Sequence, residues 1–267
     1  MAERNAKLIL MVGVLGVSAS AILVRFSQAP SGVTAAYRLG WTVLLLLPVV
    51  LLRCRAELRR VTARDLVLCG ASGVLLALHF LTWFESLKRT SVASSTVLVS
   101  TEVIFTALGF ALFLHGKIPR LGVWAILLAF GGSALLALSG GGGAGELSGN
   151  LLALAAASAA AVYTLIGRVQ RGHLSTTVYT FLTYLACFLT LLLGTAAAGT
   201  PLTGYGGREW LIGLALAVLC TLLGHSLFSW CLKYLSPSYV SAAKLCEPVF
   251  SSLAAIPLFG EVPGPLQ

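Results

Sequence analysis

Six side chains able to do chemistry lie inside apolar stretches of the sequence: Arg38, His79, Glu102, His225, Lys244 and Glu247. A charged side chain at a helix centre in a bilayer costs roughly 2.5–3.5 kcal/mol on insertion scales, so each must face a cavity or a partner. A carboxyl group shielded from water can bind and release a proton near neutral pH, which is the chemistry that proton-coupled transport needs. Glu102 and Glu247 are the candidates for it. Arg38 offers a fixed positive charge that attracts a carboxylate-bearing solute or pairs with Glu102. The histidines could bind substrate, relay protons or hydrogen-bond a neighbouring helix; His79 is expected towards the outer side and His225 towards the inner side.

Each of these residues also has a plainer reading. Lys244 precedes Glu247 by three residues on one helix face and could simply neutralise it. Glu102 has no such helix neighbour, which favours a functional role or a pairing between helices. Arg38 lies about five residues inside its stretch, close enough to snorkel outwards to headgroups. Pro248 removes a backbone donor directly after Glu247 and can open a carbonyl to a cavity. Trp83 and Trp230 fall near stretch ends, where interfacial anchoring is the default. Tyr37, Tyr163 and Tyr179 could line a pocket for flat solutes or serve packing. The small residues of 153–161 let helices approach closely.

The elements that must position these groups are nine apolar stretches, at approximately 8–26, 33–52, 66–86, 91–113, 121–139, 150–167, 176–198, 210–231 and 238–259. Roughly 20 apolar residues cover a ~30 Å hydrocarbon core at ~1.5 Å per residue. Hydrophobic residues make up 58% of the 267 and charged residues only 10%, against about 25% charged in a soluble domain; mean hydropathy is +0.93. The fold class is therefore all-α and polytopic in a membrane. The first stretch is longer than a signal-peptide core, lacks a convincing cleavage site and resembles a later stretch, so it is read as a retained helix.

The net charge of +9 does not point to nucleic acid, because no basic stripe with interleaved aromatics exists. Its placement follows the membrane instead. With the N-terminus inside, inner segments hold Arg4, Lys7, Arg53, Arg55, Arg59, Arg60, Arg64, Lys117, Arg120, Arg168, Arg171 and Lys233, twelve of the eighteen Lys and Arg. Outer segments hold Lys88, Arg89 and Arg208, with Arg25 near an outer helix end. That asymmetry fits a cytoplasmic N-terminus. The six cysteines, Cys54, Cys69, Cys187, Cys220, Cys231 and Cys246, show no framework or metal-binding spacing and are read as reduced packing residues.

The chain also repeats itself. A shift of 145 residues lays Lys88 on Lys233, Ser91 on Ser236, Glu102 on Glu247, Phe105 on Phe250 and Leu108 on Leu253. One residue of slippage later, Gly116-Lys117-Ile118-Pro119 meets Gly260-Glu261-Val262-Pro263, and Ile22–Arg25 roughly matches Leu165–Arg168. His79 and His225 correspond within a residue or two. The reading is a first repeat over 1–139, a glycine-rich linker over 140–148 and a second repeat over 149–267. Five stretches per repeat invert the second copy, a common basis for alternating access. The second copy stops before its fifth stretch, so a tenth helix is expected to be missing from a fragment.

With these segments in view, the chain resembles the bacterial drug/metabolite transporter superfamily in its EamA-type branch. The residues that carry the resemblance are Ala35-Ala36-Tyr37-Arg38, Trp83–Ser91, Gly149–Leu154, Glu247-Pro248-Val249-Phe250 and Phe259-Gly260-Glu261. The sequence departs from the family at Val103, where a proline is usual, and at Lys117, where an acid is usual. The resemblance implies ten helices in two inverted repeats. It further implies a secondary transporter in the cytoplasmic membrane of a bacterium, exporting small amino-acid-like or drug-like metabolites and possessing a proton-coupling option. The alternative is a lipid or lipid-linked sugar flippase, which needs a groove open to lipid. A membrane scaffold or sensor is the third reading, and lacks its expected soluble module.

No nucleotide-binding glycine loop or H-E-x-x-H pattern is present, so neither an enzyme nor an ATP-driven pump is expected. No cofactor or metal is expected. The expected partners are a small-molecule substrate and membrane lipids, not nucleic acid, with a homodimer left open.

Overall fold

The apolar stretches fold into helical rods. The computed structural model describes residues 2–118, 120–139 and 144–262. Among them, eight rods are long and apolar enough to cross a membrane, and a further helix, Arg120–Ser139, fills the fifth expected stretch. In chain order the helices are α1 (Ala2–Ser18), α2 (Ser20–Phe26), α3 (Ser31–Arg53), α4 (Arg55–Leu58), α5 (Ala63–Arg89), α6 (Val92–Val99), α7 (Glu102–Phe113) and α8 (Arg120–Ser139). They continue with α9 (Ala144–Gln170), α10 (Thr176–Ala197), α11 (Gly207–Ala215), α12 (Ser226–Cys231), α13 (Pro237–Ala243) and α14 (Glu247–Phe259). Leu52, Leu128 and Leu193 are among the many large apolar side chains left on the surface, where lipid tails rather than water meet them. The chain is an all-α, multi-pass membrane protein.

Several rods are not single α-helices. Residues expected as one stretch over 8–26 break at Ala19 between α1 and α2. Leu216–His225, between α11 and α12, winds as a π-helix. Its wide turn shows in hydroxyl bonds five residues back: Thr221 Oγ1 to the Leu216 carbonyl at 3.3 Å and Ser226 Oγ to the Thr221 carbonyl at 3.1 Å. The 140–148 linker is also shorter than expected: 140–143 lie outside the described residues, while α9 already begins at Ala144. Glu146 in its first turn places a negative charge at the positive end of the helix dipole.

The two halves repeat their local chemistry. Arg25 donates to the carbonyls of Leu87 (2.7 Å) and Thr90 (3.4 Å) at the end of α5. Arg168 donates to those of Leu232 and Leu235, which stand 145 residues later. Ser91 Oγ accepts the N–H of Ser94 to cap α6, and Ser236 Oγ accepts that of Tyr239 to cap α13. The rod α6–α7 is interrupted at Ser100–Thr101, and the rod α13–α14 by a 3-10 turn over Lys244–Cys246. Glu102 and Glu247 each begin the second piece.

The halves interleave instead of lying side by side. α5 of the first half packs on α9 and α10 of the second, and α10 also packs on α3. Close approach is possible because small residues stand at the crossings. A Cβ on Gly73 of α5 would lie 2.5 Å from Ala186 Cβ and 2.6 Å from the Thr183 carbonyl oxygen of α10. One on Gly16 of α1 would lie 2.7 Å from the carbonyl oxygen of Leu219 in the π segment. Backbone cannot rotate away as a side chain can. Gly73→Val is therefore expected to lower stability by about 2 kcal/mol or more, read as an earlier thermal melt in detergent. An unchanged melt would show that α5 and α10 can separate without cost.

Candidate functional site

The interrupted rods and the π segment meet around one central cavity. Arg38, His79, Glu102, His225, Lys244 and Glu247 all line it, together with Ser20, Trp83, Phe228 and Ser241. Its volume is about 30 Å³. At ~10–15 Å³ for one water, that is room for about two waters and too little for an organic solute.

Glu102 is held on every side. Lys244 Nζ lies 2.9 Å from both of its carboxylate oxygens. Thr164 Oγ1 of α9 donates to Oε1 at 2.9 Å, and Ser241 Oγ of α13 does so at 3.1 Å. The carboxylate thus joins α7, α9 and α13. Lys244 forms its ion pair with Glu102 and not with Glu247, the plainer reading from their spacing. α13 packs directly against α7, which brings Lys244 onto Glu102.

Glu247 is the contrasting member of the pair. It is 8% exposed, yet its carboxylate accepts no hydrogen bond and forms no ion pair among the described residues. Lys244 and Arg38 act on it through space without touching it. A buried carboxyl group without a partner keeps its hydrogen-bonding capacity for a proton or a bound cation.

Arg38 is wholly buried, so it does not snorkel to headgroups, and Glu102 is not its partner. Its Nε donates to Thr221 Oγ1 at 2.7 Å and its Nη1 to Ser20 Oγ at 3.1 Å. The guanidinium carbon stands 4.2 Å from the Phe80 ring centroid, a contact worth about 2 kcal/mol where water is excluded. The break at Ala19 presents Ser20, and the π segment presents Thr221. Arg38 Nη2 is buried with no hydrogen-bond partner among the described residues. Both N–H donors of that nitrogen are left to satisfy.

The histidines stand together, not on opposite sides as expected: their ring centroids are 6.3 Å apart. His79 Nδ1 faces the Ala156 carbonyl oxygen at 3.0 Å. A carbonyl only accepts, so that nitrogen carries the hydrogen and Nε2 is the acceptor in the neutral ring. His225 Nδ1 has no partner among the described residues. Trp83 is 3% exposed and stacks on His79 at 5.8 Å between centroids. It is no interfacial anchor. Its position one helical turn after His79 was the signal available for placing it at the cavity.

Two neighbouring features complete the picture. Tyr37 turns away from the centre and stacks on Trp210 at 4.1 Å. Both line a second, mainly apolar cavity of about 260 Å³ with Trp41, Phe188, Leu192 and Leu202. All six cysteines are free thiols; Cys246 is exposed, not packed as expected. Among the described residues, no cluster of His, Cys, Asp and Glu could hold a metal ion.

Comparison with known proteins gives a single family. The model of the EamA-like transporter family matches residues 5–138 and again 147–267. A solved structure, described simply as the crystal structure of a protein, is similar with a TM-score of 0.72. The match covers 98% of this chain and 91% of that one at 20% identity, which is a likeness of fold alone. No curated protein matches.

Proposed function

The chain belongs to the EamA-like transporter family and is a membrane transporter of small solutes; we propose that it is a proton-coupled secondary exporter of organic metabolites working by alternating access. The observation that carries this reading is the convergence of six ionisable side chains from both halves on one central cavity. The membrane is the cytoplasmic membrane of a bacterium, with the N-terminus inside, as the Lys and Arg distribution supports. The halves, 1–139 and 149–267, rock about the cavity, and the contracted cavity is a closed stage of that cycle.

The substrate is a small amino-acid-like or drug-like molecule bearing a carboxylate. Its carboxylate meets the free Nη2 of Arg38, and its apolar part lies against Trp83 and Phe228. Glu247, unpartnered, is the group that exchanges a proton for substrate, while Glu102 and Lys244 fix the helices around it. Arg38→Lys keeps the charge but loses the planar fork. It should raise the apparent KM for carboxylate-bearing solutes about tenfold, the weight of one charge-assisted hydrogen bond, and leave neutral solutes little changed. Substrate-dependence curves in proteoliposomes measure this; an equal shift for both classes would remove Arg38 from carboxylate recognition.

The second reading, a lipid or lipid-linked sugar flippase, draws support from the apolar cavity beside Tyr37, whose Leu44 and Trp210 are exposed on the surface. Transfer of a fluorescent lipid across the bilayer of the same proteoliposomes would favour it over solute export.

A further inference from the structure

At the end of the molecule that carries Arg25, a carboxylate ties the two halves. Glu261 follows α14 and is ion-paired with Arg25 of α2. Its second oxygen accepts the backbone N–H of Val92, the first residue of α6, at 2.8 Å. α14 belongs to the second half and α2 and α6 to the first, so both contacts cross between halves. The bonds from Arg25 to Leu87 and Thr90 stay within the first half.

Each end has other carboxylate ties between the halves: Glu209 with Ser27 and the Gln28 N–H beside Arg25, and Asp65 with Gln170 and His173 beyond Arg168. Of the Glu261 device, however, the opposite end keeps only the part internal to one half. Arg168 still donates to Leu232 and Leu235, but it has no ion pair among the described residues. Neither member of the crossing contacts has its counterpart here. Lys117 occupies the place that corresponds to Glu261, and a lysine there can only repel an arginine. Pro237 corresponds to Val92, and a proline has no N–H to donate. The two repeats differ at both members of the device, so it stands at one end only.

We propose that Glu261, Arg25 and the Val92 N–H form a one-sided latch that sets which end of the transporter opens at rest. The Arg25 end is held shut, and the Arg168 end, lacking the acid and the donor, is the one that opens. This rests on the alternating-access reading above.

Hydrogen–deuterium exchange on the full chain in lipid nanodiscs tests it, comparing the parent with Glu261→Gln and Lys117→Glu. In Glu261→Gln, exchange should quicken over 87–93 and slow over 232–238. Each change should be about fivefold or more, the population shift that about 1 kcal/mol produces. Lys117→Glu supplies an acid for Arg168 at the other end and should move both segments in the same directions, without disturbing the Arg25 contacts. Quickening confined to 87–93 would mean a local cap and overturn the latch; so would unchanged exchange at both ends in both variants. Solute transport by the parent in liposomes checks the underlying reading separately. A parent that transports while its variants respond at one end only keeps its function and loses the latch.

Discussion

Glu247→Gln is expected to abolish the acceleration of transport by a pH gradient while leaving solute exchange between the two sides of a liposome intact. The amide has the size of the acid and cannot take up or release a proton in the working range. Glu247 lacks any hydrogen-bonding or ionic partner among the described residues, so the substitution leaves no other group stranded and the fold should survive. Gradient-driven rates should fall to the rate of exchange measured without a gradient. Glu102→Gln should also impair pH-driven transport, through loss of the bridge that orders the cavity. Unchanged gradient-driven rates in both variants would remove the carboxylates from coupling.

The second large effect concerns stability. Glu102 and Lys244 are 7% and 11% exposed at their side chains and pair at 2.9 Å. Removing one member of a buried pair strands the other charge, at a cost of about 3–5 kcal/mol. Glu102→Ala should therefore melt well below the parent in detergent and reach the membrane in lower yield. Lys244→Met added to Glu102→Gln removes both charges and should recover most of that loss. A double variant as unstable as Glu102→Ala would show that the pair matters through its geometry, with Thr164 and Ser241, and not through its charge.

The contrast between the two carboxylates explains how far the sequence could be read. A charged residue inside an apolar run announces itself, because burial of charge needs a reason. All six residues found that way line the one cavity. Their pairing was not legible. Lys244 sits three residues from Glu247 in the chain, but bonds Glu102 across the fold because α13 packs against α7. Arg38 finds Ser20 and Thr221, neutral hydroxyls whose positions depend on a helix break and a π segment. Neither feature leaves a distinctive residue pattern.

The interruption before Glu102 illustrates the same limit. Val103 replaces the proline that Pro248 supplies in the second half, so the sequence predicts an unbroken helix there. The break occurs without it. Ser100 Oγ and Thr101 Oγ1 bond back to the carbonyls of Thr96 and Leu98, each at 2.7 Å, and such side chains compete with the helix for its own backbone. Trp83 was placed at an interface by its distance from a helix end, whereas packing on His79 decides its position. Local patterns located the charges and the rods; contacts between distant helices gave the charges their partners.

The most direct test of proton-coupled transport is substrate-evoked proton flux. The purified chain would be reconstituted in liposomes holding an internal pH dye and challenged with amino acids, nucleosides and lipophilic amines beside protein-free liposomes. A proton flux evoked by one chemical class, and lost in Glu247→Gln, is the predicted result. Solute movement with no accompanying proton flux would contradict the coupling mechanism, and no response to any class would contradict export of these solutes.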